Sequence, residues 1–210
     1  MARPSNTEQR RGEIVDALAR VMAHTGYSGA SVTAIAREAG LAPGLVHYHF
    51  ATKLEILVAL VETLAARLSE RETSRAAKAR SAWQRLEAFI DARVALGTDA
   101  DPVAVACWVV IGAEALREPE VRETYRRAVA SELERLTELV QGVLAAEGRR
   151  RARAGAIAAA LLSSIEGAYQ LAVVARVTPR GFAAPMLKQS ALGLIGHEPM
   201  LRGRDRGRRA

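Results

Sequence analysis

The sequence predicts an all-α protein, and two observations carry that prediction. Half of the residues are apolar while only 4% are aromatic, so alanine and leucine dominate, the composition of packed helices rather than of strands. Apolar residues also recur at helical spacing in segments divided by Gly and Pro. At 210 residues the chain can form one large domain or two, since domains run about 100–200 residues.

The first helix is read from Ile14, Leu18, Val21 and Met22, one buried face. Ser5 followed by Glu8 is a capping box at its start, and Gly26 ends it. A short helix follows with Ser31 as N-cap, Val32, Ile35, Ala36 and Ala39 facing inward, and Gly40 supplying the left-handed turn at its end. Pro43 suits the first turn of the next helix, because its missing N–H would have had no intrahelical partner there. That helix is GLVHYHF, Gly44 to Phe50. On a helical wheel Val46 and Phe50, with Ala42, form the docking face. Gly44 and Tyr48 point the other way, Leu45 and His47 flank them, and His49 lies nearer the edge. Ala51 breaks the pattern. Thr52 to Glu55 is a second capping box, heading a long helix with Leu54, Leu57, Val58, Val61, Leu64 and Leu68 on one stripe.

Residues 31–50 therefore read as helix, tight turn, helix, the helix-turn-helix arrangement. Further helices are expected at roughly 75–97, 102–116, 118–147, 151–177 and 182–196. The dividers are Gly97-Thr98-Asp99, Glu118-Pro119, Glu147-Gly148 and Thr178-Pro179-Arg180-Gly181. The total is about nine helices.

The net charge is +7, yet its location weakens a nucleic-acid argument from charge alone. Residues 1–147 hold 18 basic and 20 acidic residues. The surplus sits in Arg149–Arg153 and in the C-terminal LRGRDRGRRA, blocks expected to be solvated or disordered. The single cysteine, Cys107 in VAVACWVVIG, reads as a buried, inert thiol. The apolar run from Ala156 to Val177 is interrupted by Ser163, Ser164, Glu166 and Gln170, so a bundle or interface helix is expected and no membrane span. The polar MARPSNTEQRRGE start lacks an apolar signal region, which points to the cytoplasm.

The two histidines of GLVHYHF raise metal binding and catalysis. His47 and His49 lie about 200° apart on a helix and cannot converge on one ion. No GxSxG, P-loop, GxGxxG or HExxH occurs in the chain, so no enzyme, metal or cofactor is expected. An exposed face of Gly, Tyr and His suits a nucleic acid instead: Gly allows close approach, and the Tyr hydroxyl and His nitrogens can donate to phosphates or base edges. Beside it, Thr52 and Lys53 put backbone amides and an ammonium at one spot, which favours a phosphate; the alternative is a plain cap and a solvated charge.

The run GYSGASVTAIAREAGLAPGLVHYHFATKLEIL resembles the N-terminal DNA-binding region of TetR-type transcriptional regulators. The resemblance covers about residues 8–57. It implies a homodimeric repressor with three N-terminal helices holding the helix-turn-helix (1–52) and a long fourth helix leading into a C-terminal helical ligand-binding and dimerisation domain (53–197); the Arg-rich composition of residues 198–210 makes them an expected disordered tail. The resemblance sets Thr33 where the second helix reaches DNA, Pro43 and Gly44 at the start of the recognition helix, Tyr48 and His49 at phosphate contacts, and Lys53 at the family's phosphate-binding lysine. His47 stands where the family usually has Tyr. With the cap residues Ser31 and Thr52 and the flanking Leu45, these form the expected DNA-facing set. Ala106-Cys107-Trp108 through Arg122, and Ile165 to Tyr169, are similar to the family's BetI-like branch, a likeness of scaffold that names no ligand.

A regulator of this kind implies an inverted-repeat operator in double-stranded DNA, read by recognition helices about 34–36 Å or a multiple apart. The helices at 151–177 and 182–196 are the candidates for the dimer surface, with burial inside one subunit as the alternative. A small-molecule effector of unknown identity is implied as well. Its candidate pocket residues are Trp83, Phe89, Trp108, Tyr125 and Tyr169, with Glu114, Glu166 and Gln170 as polar anchors. Aromatics at helical spacing serve a core equally well, and that alternative stays open. So does a different class of function, an all-α small-molecule enzyme or carrier that keeps a regulator-like N-terminus.

Overall fold

The structure, a computed structural model, describes residues 6–94 and 100–201. Ser5, Gly97-Thr98-Asp99 and residues 202–210 of the Arg-rich tail lie outside them. Among the described residues the regular elements are nine α-helices and one π-helical segment. They are α1 (Asn6–Gly29), α2 (Val32–Ala39), α3 (Pro43–His49), α4 (Lys53–Ala76), α5 (Ala82–Val94), α6 (Pro102–Glu114), α7 (Pro119–Ala146), α8 (Ala154–Tyr169), the π segment (Gln170–Ala175) and α9 (Ala183–Gly196). The all-α architecture expected from composition and periodicity is the observed one.

Two helices differ from the sequence reading. The helix expected at 75–97 does not begin at 75, because α4 continues to Ala76 and α5 starts at Ala82. Ser81 caps α5 by accepting from the Gln84 amide at 3.1 Å, and Gln84 Oε1 accepts in return from the Arg80 amide at 2.6 Å. This is a Ser-x-x-Gln cap in altered form, because Gln84 takes the amide before Ser81 rather than that of Ser81 itself, and it is a local signal for a new helix start in a stretch, 69–82, whose only apolar residues are alanines. The helix expected at 151–177 begins at Ala154, passes into the π segment at Gln170 and stops at Arg176, which takes the left-handed φ of 54°. In α1, Gly26 leaves helical geometry at φ 69°, ψ 174°, and a further turn follows it to Gly29.

The chain forms two compact units. One contains α1 to α3, α4 through Arg71, α6, α7 through Ser131, and Tyr169–Thr178. Its core is built on Ile14, Leu18 and Met22 of α1, Ile35 of α2, Phe50, and Leu57 and Val61 of α4. Leu54, Val58 and Leu68 of the expected α4 stripe are half-buried, and Ile56 and Leu60 are buried instead. α6 packs on α1, where the Cys107 thiol donates to the Ala19 carbonyl at 3.2 Å. Burial, then the charge of Asp101, pushes that thiol up to about 12, so it is an inert core group at neutral pH.

The other unit contains the end of α4 from Glu72, α5, α7 from Glu132, α8 through Ala168, and α9. Its interior holds a charge cluster with no counterpart in the sequence reading. Buried Arg93 meets Glu72 at 3.4 Å and Glu132 at 3.3 Å, while Arg135 meets the other Glu72 oxygen at 2.9 Å. The Arg93 guanidinium also covers the Phe89 ring at 3.2 Å. Desolvation raises the Glu132 carboxyl above its ordinary value despite the lowering effect of Arg93.

The Arg149–Arg153 block and the start of the expected tail are not simply solvated. Arg149 Nη1 donates to the carbonyls of Gly196 (2.8 Å) and Glu198 (2.7 Å), and an isolated β-bridge joins Arg149 to Met200. Arg153 pairs with buried Glu198 at 3.4 Å. Long-range pairing of this kind leaves no local pattern in the sequence.

Candidate nucleic-acid interface

The interface begins with how α3 is held. The Ser31 hydroxyl accepts from the Ala34 amide at 3.1 Å and starts α2, and Gly40, at φ 68°, returns its N–H to the carbonyls of Ala36 and Arg37. The left-handed residue turns the chain sharply, and only glycine adopts that geometry without strain. Pro43 then opens α3. Val46 and Phe50 are buried, as the wheel predicts, at 1% and 2% exposure. Ala42 is exposed instead of joining them, because as N-cap it is extended (φ −72°, ψ 143°) and lies off the wheel.

Anchored on those two side chains, α3 turns Gly44, Leu45, His47 and Tyr48 to solvent. Tyr48 is 79% exposed, an unusual position for a large aromatic, and its ring meets His49 edge-on at 5.1 Å. A Cβ built on Gly44 would meet nothing within 4 Å, so the protein itself does not require glycine there. His49 is half-buried; Ser31, Thr33 and Pro43 are exposed. Among the described residues no group of three His, Cys, Asp or Glu side chains converges as metal ligands would.

At the head of α4 the expected capping box is present in altered form. Thr52 Oγ1 accepts from the Glu55 amide at 3.1 Å, and Glu55 accepts from the amide of Ala51 rather than of Thr52, at 2.9 Å. Lys53 is half-buried; its Nζ donates to the Tyr27 carbonyl at 2.9 Å and lies 4.1 Å over the Tyr27 ring. Burial first, then the charges of Glu118 and Glu114, raises the Tyr27 phenol above its ordinary value.

Sequence reasoning missed two residues. Arg11 of α1 donates to the His49 carbonyl and stacks on Phe50 at 3.9 Å, holding the last turn of α3. Its signal was its place one turn before Val15, at the rim of the buried face of α1. Tyr27 holds Lys53, and only the break at Gly26 hinted at an unusual backbone there.

The expected effector residues are distributed over the chain. Trp108, Glu114, Tyr125, Tyr169 and Gln170 belong to the unit with the helix-turn-helix, Trp83 and Phe89 to the other. Trp108 and Tyr125 pair at 5.0 Å with a 49° tilt, and the Tyr125 hydroxyl lies 3.5 Å from where a side chain on Gly112 would begin. Tyr169 is buried and Gln170 exposed. Phe89 is fully buried under Arg93, and Trp83 is half-buried. The charge of Glu114 is felt at Tyr27. A groove of about 410 Å³ in the second unit is lined by other residues, among them Arg75, Lys78, Gln84 and Asp91.

Residues 14–60 match the family described as bacterial regulatory proteins, tetR family, and residues 82–194 match the BetI-type transcriptional repressor C-terminal family. The regulator BetI of Rhizobium meliloti is 34% identical over 59% of this chain and 62% of its own length, so that alignment spans less than two thirds of the relative. The regulator CymR of Pseudomonas putida is 27% identical over 76% of this chain and 77% of its own. Among solved structures, a transcriptional regulator from Rhodococcus sp. Rha1 has a TM-score of 0.77 at 22% identity, covering 91% of this chain and 99% of that one. A regulator from Saccharomonospora viridis, solved in complex with choline, has a TM-score of 0.76 at 21% identity, covering 93% and 100%. The named relatives are regulators, not enzymes.

Proposed function

The chain belongs to the TetR family of bacterial regulatory proteins and carries a BetI-type C-terminal domain, and on that footing we propose that it is a homodimeric repressor, acting in the cytoplasm, that leaves an inverted-repeat operator when a small molecule binds. The observation that carries the DNA half is the outer face of α3. Gly44, His47 and Tyr48 stand in solvent on the buried anchors Val46 and Phe50. A large aromatic at 79% exposure costs apolar hydration that the free protein does not recover, and contact with a duplex would use it. Ser31, Thr33, Pro43, Leu45, His49, Thr52 and Lys53 would complete the contact set.

Support for the dimer comes from α8 and α9. α8 buries Ile157, Leu161, Leu162 and Ile165 while leaving Ala156, Ala159, Ala160 and Ser163 to solvent. α9 buries Leu187, Ala191 and Ile195 and exposes Met186, Leu192 and Leu194. Small residues permit close helix approach, and exposed large apolar side chains favour a covered face. The apolar stretch Ala154–Ala175 is long enough to cross a membrane by length and composition, but its half-buried Glu166 and its inward Ile and Leu residues fit a bundle helix better. For the effector, the Trp108–Tyr125 pair beside Gly112 offers aromatic faces of the kind that bind small cations, in keeping with the choline held by the Saccharomonospora protein.

Selection of duplexes from random-sequence DNA tests the reading. The expected result is an inverted repeat bound at nanomolar affinity with a steep salt dependence. Weak binding, equal on all sequences, would overturn it.

A further inference from the structure

We propose that Tyr27 is the positioning residue for Lys53. The proposal rests on the DNA-binding reading above and deepens it.

The unusual backbone begins at Gly26. Its φ of 69° breaks α1 one residue before Tyr27. The Tyr27 carbonyl, released from the helical ladder, accepts from the Ala30 amide at 3.2 Å and from Lys53 Nζ at 2.9 Å. The same ammonium lies 4.1 Å over the ring of the same residue. One tyrosine thus fixes the cation twice, through a carbonyl dipole and through the negative face of a π system. An ammonium has three N–H donors, so one bond to Tyr27 orients Lys53 while leaving it able to serve an anion.

The chain has three lysines, Lys53, Lys78 and Lys188, so lysine-selective carbon and nitrogen labelling yields few enough side-chain signals to assign with Lys53→Arg. The full chain is used, with melting curves confirming that each variant is folded. In the wild type and in Tyr27→Phe the Lys53 ε-methylene protons should be shifted upfield by the ring; in Tyr27→Leu that shift should vanish. An unchanged Lys53 spectrum in Tyr27→Leu overturns the positioning role. The second readout is binding to a duplex selected by the protein itself. Tyr27→Leu should lower the salt slope by about 0.9 per subunit, the loss of one phosphate contact. Lys53→Gln should do the same, and combining the two should cost no more than either alone. Additive losses overturn the proposal. Failure of every variant and of the wild type to select a duplex would instead remove the DNA-binding reading, with the spectra still judging the Tyr27–Lys53 contact.

Discussion

The outer face of α3 and the interior around Arg93 use polar side chains in opposite ways. On α3 the anchors are apolar and buried, and the groups able to form hydrogen bonds, His47 and Tyr48, stand in water. Around Arg93 the charges are inside, with Glu72 and Glu132 sharing one guanidinium at 3.4 and 3.3 Å. A buried charge must be matched within the fold because desolvation is expensive, and removing one partner strands the others. An exposed group has no such obligation, so it is free to be chosen for what it touches. The difference separates residues that hold the fold from residues the fold leaves free to act on something else.

Substitutions inside the Arg93 cluster should have larger effects on stability than those on α3. Arg93→Ala should cost about 3–5 kcal/mol of stability by leaving Glu72 and Glu132 without their shared partner; urea unfolding measures it, and a loss near zero would mean that the cluster is open to water. Tyr48→Ala is the mirror experiment. Its melting curve should match the wild type to within about 0.5 kcal/mol, as for other surface changes, while affinity for a selected duplex falls at least about tenfold, or roughly 1.4 kcal/mol. Loss of the fold would place the ring in the core and erase the contrast.

Two smaller changes sharpen it. Ser31→Ala removes the cap on α2 and should destabilise the protein by about 1 kcal/mol, seen as a lower urea midpoint. Gly44→Ala should leave the fold unharmed or steadier by up to about 1 kcal/mol, since nothing lies within 4 Å of the new Cβ and alanine is the better helix former. Its duplex binding should nevertheless weaken if the backbone of α3 approaches DNA closely. The last test concerns pH. The Glu132 carboxyl is raised in the folded state, so its contribution is most favourable below the unfolded carboxylate value, about 4.3, and is lost as pH rises through the raised folded value. Glu132→Gln should flatten that decline in a pH series of unfolding free energies; an unaltered slope would assign it to other groups.

How much could be read beforehand follows the same division. The α2–turn–α3 geometry was legible because every signal was local: Ser31 before an apolar run, Gly40 where a left-handed residue is needed, Pro43 at the first turn, Val46 and Phe50 one helical turn apart. The break between α4 and α5 was legible too, in Ser81 and Gln84, a cap pair that the helix expected at 75–97 overran. Arg11 on Phe50, Lys53 on Tyr27 and Arg93 between two carboxylates join residues 39, 26, and 21 and 39 positions apart. No periodicity encodes such separations.

Sequence alone determined the helical class, the helix-turn-helix and which side of α3 faces outward, because helix periodicity, caps and turn residues act over a few neighbouring positions and need no distant partner. Tertiary structure decided what surrounds the charged groups. Lys53 reads as a phosphate-facing or solvated cation until Tyr27 is found beside it, and Arg149 as one of a basic block until it is found bound to the carbonyls of Gly196 and Glu198. Charge and hydrogen bonding depend on distance in space and on exclusion of water, and both are set only when remote segments pack.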